Sequence, residues 1–196
     1  MKKSLKKTSR LFIWVLLCST INWADEISDT IEHALHAYQN GDISSAKEEL
    51  SFALELLRQK KGEFMKQYLP EALEGWHANE PKAQMAASGV LSGGTTLYRS
   101  YSKKGGAKIQ IEIVVDSPLI SGIISIFANP MFISGGKLMR IKREKAMLNY
   151  NEKNAKGEVT LMVDKRFMVT IRGEGVTKEE ILEYAQAIDF KALKEI

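Results

Sequence analysis

The hydrophobic period of this chain switches from helical to two near its middle, and that change dictates what it can fold into. Between Asp25 and Tyr68 apolar residues recur every three or four positions; from Thr95 onward they recur every second position. The first stretch therefore reads as helix and the second as sheet. Ile27, Ile31, Ala34, Leu35 and Tyr38 share one helical face, and Asn40-Gly41-Asp42 ends the run. Asp42 or Ser45 can cap the next helix, and Ser45 with Glu48 fits a capping box. That helix carries Ile43, Ala46, Leu50, Ala53, Leu54, Leu57 and Phe64 at helical spacing. Strands are expected at 95–102 and 107–116, joined by the turn Lys103-Lys104-Gly105-Gly106, then at 137–142, 145–151, 158–164 and 167–173. The apolar stretch after Ser117 is expected to form a crossover helix from Pro118 to about Asn129. Thr177, with Glu180 three residues on, caps a last helix whose buried stripe is Ile181, Leu182, Ala185 and Ile188.

Short turns make such a sheet antiparallel. The expected class is α+β: an N-terminal helical hairpin (25–68) packed on an antiparallel sheet of about six strands (95–196), with a crossover helix and a C-terminal helix. Residues 69–94, punctuated by Pro70, Gly75, Pro81, Gly89, Gly93 and Gly94, read as a connector. Within it, Leu69 to Trp76 is apolar enough to dock.

Ahead of the hairpin, Lys2, Lys3, Lys6, Lys7 and Arg10 precede the apolar run Leu11 to Cys18. This is the order of a secretory signal peptide, expected over 1–24 with cleavage after Ala24. The run is short for a bilayer span, which takes about 20 apolar residues. The mature chain is therefore expected in the periplasm with no transmembrane segment. Lipidation at Cys18 and an uncleaved anchor are the competing readings; Leu17 is large for the residue before a lipidated cysteine, and Ser19 and Thr20 break the run. Cys18 is the only cysteine, so the mature chain would have no disulfide, thiol nucleophile or cysteine-based zinc site. Five of the 28 basic residues and none of the 24 acidic ones lie in this segment. Without it the net charge is −1, and the pI near 9.0 gives no argument for nucleic acid.

Ala37-Tyr38, Gly41-Asp42 and Ala46 resemble a single unit of a tetratricopeptide repeat, a unit that cannot bury its own apolar face alone. The run Phe167 to Gly173 followed by Val176 to Leu182 resembles the last strand and helix of PsbP/Mog1-like domains. The whole mature chain is similar to uncharacterised proteobacterial periplasmic proteins through Leu69-Pro70, Gly75-Trp76, Asp116-Ser117-Pro118-Leu119 and Ala187-Ile188-Asp189-Phe190. These resemblances imply an accessory or binding role and carry over no catalytic residue.

The candidate chemistry is sparse. Gly89 to Thr96 has P-loop-like glycine spacing, but Thr95 stands where the lysine belongs and a strand follows instead of a helix. His33 and His36, with Asp29 and Glu32 nearby, are spaced to hold a metal ion but fall on the solvent side of their helix. His77 lacks a nucleophile elbow. Met147, Met162 and Met168 share a sheet face with Asn149, Thr160, Thr170 and Arg172; packing beneath the hairpin is favoured over Cu(I) binding. Two surfaces remain. The basic run Lys137, Arg140, Lys142, Arg143 and Lys145 can face an anionic partner, or simply protect a sheet edge. The uncharged segment with Leu119, Ile120, Ile123, Ile124 and Phe127 is either buried or lines a site for an apolar ligand or partner. The expected function is that of a non-enzymatic, cofactor-free periplasmic accessory protein that binds another envelope protein. The alternative is a carrier or sensor of a hydrophobic small molecule or lipid.

Overall fold

The computed structural model describes residues 23–85, 94–117, 120, 122 and 136–196. All of the expected signal peptide but Trp23 and Ala24, nearly all of the crossover helix and the glycine-rich stretch 89–93 lie outside the described residues. The chain is α+β and divides into two compact units, Met1–Leu50 and Ser51–Ile196. The boundary falls inside the span read as one hairpin.

Helix α1 (Trp23–Gln39) and helix α2 (Ile43–Met65) form the N-terminal hairpin. Gly41 sits at φ +78°, in the left-handed region that glycine occupies without steric cost. Asp42 caps α2: its carboxylate accepts from the Ser45 amide at 3.0 Å and the Ser45 hydroxyl at 2.7 Å. These bonds, that from the Ser45 amide first, hold its carboxyl below the usual range. On α1 the buried positions are Ile27, Thr30 and Ala34. Ile31, Leu35 and Tyr38, expected inside, are exposed. Thr30 tolerates burial because its hydroxyl donates to the Glu26 carbonyl at 2.7 Å.

The second unit is built on one antiparallel sheet of eight strands: β1 (Trp76–Ala78), β2 (Lys82–Met85), β3 (Thr95–Lys103), β4 (Lys108–Val115), β5 (Lys137–Ile141), β6 (Glu144–Asn151), β7 (Lys156–Val163) and β8 (Phe167–Glu174). The spatial order is β1-β3-β4-β8-β7-β6-β5, with β2 also paired to β3. The six expected strands are all present. Two more come from the segment read as connector, where three- and four-residue strands are too short to show a period of two.

One face of the sheet is the core. Leu97 and Tyr101, Ile109, Ile111, Ile113 and Val115, Val159, Leu161 and Val163, and Phe167, Val169 and Ile171 alternate onto it. Helix α3 (Lys178–Ala187) and helix α4 (Phe190–Lys194) cover it with Ile181, Tyr184, Ala185, Phe190 and Leu193; Ile188, between them, is also buried. Thr177 and Glu180 form the expected capping box. Gly157 and Gly173 face each other across β7 and β8. A Cβ on Gly173 would lie 2.4 Å from Val176 and 2.9 Å from Ile181, and one on Gly157 2.9 Å from Ile181. The pair is a notch that lets α3 settle onto the sheet.

The segment 69–79 is clasped to the same face. Tyr101 donates its hydroxyl to the Pro70 carbonyl at 2.6 Å. Arg99 donates to the carbonyls of Asn79 and Pro70 at 2.9 and 3.0 Å and to Glu71 at 3.0 Å. Trp76 and Tyr101 both pack against Tyr184, the first edge-on at a ring-centroid distance of 5.4 Å and the second tilted at 4.5 Å. Residues 51–65 of α2 reach this face too: Met65 is in the core, and a Cβ at Gly62 would lie 3.1 Å from Ala83 and 3.4 Å from Thr95. Met147, Met162 and Met168, expected beneath the hairpin, alternate with Thr160 and Thr170 onto the face opposite to the one that residues 51–65 reach.

Candidate functional site

The histidines come first because acid–base and metal chemistry depend on them. His33, His36 and His77 are exposed. The His36 ring lies 3.1 Å from the Asn40 amide nitrogen. Among the described residues no three His, Cys, Asp or Glu side chains converge as a metal site would need.

The polar residues of the outer sheet face are locked to one another. Arg172 lies between Glu112 (2.8 Å) and Glu158 (2.7 Å), and Lys156 pairs with Glu174 at 2.9 Å. These are cross-strand neighbours in the register, so the pattern is a sheet-stabilising ladder. A depression of about 520 Å³ bordered by Ser100, Ser102, Gln110 and Arg172 adjoins it. Every buried side-chain nitrogen and oxygen among the described residues has a partner, so no polar group is left aimed at a missing ligand.

Of the uncharged segment, Ile120 is described and is buried, 3% exposed; Leu119, Ile123, Ile124 and Phe127 lie outside the described residues.

The basic run occupies the hairpin of β5 and β6. Its turn is Lys142-Arg143, both in the left-handed region at φ 45° and 75°. Such a two-residue turn favours Asn-Gly, so the conformation is strained for these side chains. Lys142 is held by its own contacts: its ammonium donates to the Ile188 carbonyl at 3.1 Å and lies 5.8 Å from the Phe190 ring centroid. The single acid of the hairpin, Glu144, is paired with Lys194. Lys137, Arg140, Arg143 and Lys145 are exposed and have no ion pair among the described residues. Among the described strands β5 lies at the edge of the sheet, and Leu138, unflagged by the sequence, is 47% exposed within it.

The hairpin unit carries the other unusual surface. Ile31, Leu35 and Tyr38 follow one another at i, i+4 and i+7 on α1 and are 45%, 54% and 64% exposed. Ile43 and Leu50, seven residues apart on α2, are 61% and 56% exposed. Each of these five large apolar side chains is about half exposed, and large apolar groups left in water in a helical row mark a surface that a partner can cover. The sequence marked every one of them as apolar but placed them inside, because a helical period does not say which of two adjacent rows is covered.

No helix among the described residues is long and apolar enough to cross a membrane. No family model, curated protein or solved structure matches the chain.

Proposed function

We propose that this protein is an exported, non-enzymatic accessory protein of the cell envelope, and that its N-terminal hairpin binds another envelope protein. The observation that carries this reading is the pair of exposed apolar rows, Ile31, Leu35 and Tyr38 on α1 and Ile43 and Leu50 on α2. Large apolar side chains at i, i+4 and i+7 are the contact pattern of one helix meeting another. A helical pair of this size has little core to spare, so a row left in water is costly unless a partner covers it. Export is supported by the basic-then-apolar order of Lys2 to Cys18.

Site-specific photo-crosslinking in the native envelope tests the binding. A benzophenone side chain replacing Leu35 is expected to yield one dominant adduct, and Ile31→Asp to abolish it. The same group replacing His33, on another side of α1, is expected to yield none. Equal labelling from both positions, or none from Leu35, refutes the reading. Intact mass of the envelope form tests processing: Asp25 is the expected N-terminus, and a lipid-modified Cys18 would overturn it.

A further inference from the structure

We propose that the open edge of β5 accepts an acidic, extended segment of a partner protein as an added strand. This proposal stands apart from the hairpin reading and uses a different surface.

The backbone supplies the first half of the argument. In a hairpin closed by two residues, the pair flanking the turn, here Ile141 and Glu144, is hydrogen-bonded, and the pairs alternate from there. Lys137, Met139 and Ile141 therefore direct their N–H and C=O groups toward β6. Leu138 and Arg140 direct theirs outward. Among the described strands β6 is the only neighbour of β5, so these outward groups are the ladder positions a further strand would use.

Charge selects the occupant. Lys137, Arg140, Lys142, Arg143 and Lys145 supply five cations within nine residues, and the one acid among them, Glu144, is already engaged by Lys194. A second copy of β5 would lay two rows of cations side by side, which is repulsive. The same charges that bar self-pairing favour a strand bearing carboxylates. Leu138 and Arg140 project on one face of that edge, an apolar contact beside a guanidinium. An incoming strand alternating apolar and acidic residues matches them. The strained Lys142-Arg143 turn, anchored by Lys142 to the Ile188 carbonyl, holds Arg143 at the tip beside this edge.

The test uses the full chain and two blocked synthetic octapeptides, one alternating valine and glutamate, the other valine and lysine. Binding is followed by isothermal titration, and the amides of 136–144 by hydrogen exchange. The glutamate peptide is expected to bind saturably, to weaken with added salt, and to protect the amides of Leu138 and Arg140 selectively. The lysine peptide is expected not to bind. Arg140→Pro removes an outward N–H and a cation while leaving the bonds to β6, and is expected to weaken binding at least tenfold. Arg140→Gln, which keeps the N–H, is expected to lose less; it also serves if the proline variant does not fold. Equal binding of the two peptides, binding without amide protection, or no binding at all overturns the proposal. So does co-sedimentation with phosphatidylglycerol vesicles that Arg140→Pro leaves unchanged while the peptide fails to protect the edge; the basic run would then face a membrane.

Discussion

Gly173→Ala tests how α3 is seated on the sheet. Two effects of opposite sign meet at this position. Adding a methyl group to a glycine whose φ suits any residue restricts the unfolded chain, and by itself stabilises by about 0.4–1 kcal/mol. Against this, the new Cβ would lie 2.4 Å from Val176 Cγ2 and 2.9 and 3.0 Å from the Ile181 side chain. Val176 is 2% exposed and Ile181 0%, so neither can turn out into solvent. Overpacking of this kind costs about 1–3 kcal/mol. The clash wins, and the expected net loss is about 1–2 kcal/mol, a fall in Tm of roughly 2–8 °C for a unit of this size. Thermal and urea unfolding measure it. In a Val176→Ala background the methyl group finds room, so Gly173→Ala should cost less than half as much there, a coupling that a double-mutant cycle reads directly. A Gly173→Ala protein as stable as the parent, or more so, would show that the two glycines are not a seat for the helix.

Further expectations follow from the same core. Ile111→Asp should unfold the sheet unit, because Ile111 is fully buried and an unpaired carboxylate there costs several kcal/mol, whereas Gln110→Asp, one position along and exposed, should melt near the parent temperature. Tyr101→Phe should cost about 1 kcal/mol in urea unfolding, because the Pro70 carbonyl loses one donor but keeps Arg99. Burial raises the Glu180 carboxyl, but the bonds from the Thr177 amide and Lys103 outweigh it and hold it below its usual range. Its stabilisation is therefore full above the ordinary carboxylate pKa and lost as pH falls through the lowered one. Glu180→Gln should flatten the acid limb of a stability–pH curve, read by Tm at successive pH values. A fragment of residues 95–196 should aggregate, because it lacks Met65, Leu69 and Trp76 of the core; a dispersed NMR spectrum with cooperative melting would count against this.

The sheet was legible where strands are long and half-buried. Ile109, Ile111, Ile113 and Val115 alternate with Gln110 and Glu112, and the structure places that strand as read. The capping box at Thr177 was legible because it is a local pattern of two side chains. What escaped had no local signature. Trp76–Ala78 and Lys82–Met85 become strands by pairing with β3. Tyr184 is fully buried because Trp76 and Tyr101, distant in sequence, close over it. Gly157 and Gly173 gain their meaning only from Ile181 above them. On α1, Thr30 and Ile31 exchanged places because rows of comparable width run side by side, and a hydroxyl bonded to its own helix can be buried. The basic run was legible as charge; the open backbone of Leu138 and Arg140 beside it was not, since an edge exists only once strand order is known.

The pairing of β4 with β8 at the centre of the sheet also sets a timetable. Val115 lies opposite Phe167, 52 positions later, and Lys108 opposite Glu174. At a synthesis rate of about 5–20 residues per second, β4 waits roughly 3–10 s for its permanent neighbour. During that interval the β3–β4 hairpin presents a row of isoleucines and a naked edge, the features by which nascent strands aggregate. Closing the sheet across so many residues places the chain among slow folders. A newly made β3–β4 hairpin therefore gains from shelter until β8 emerges to pair with it.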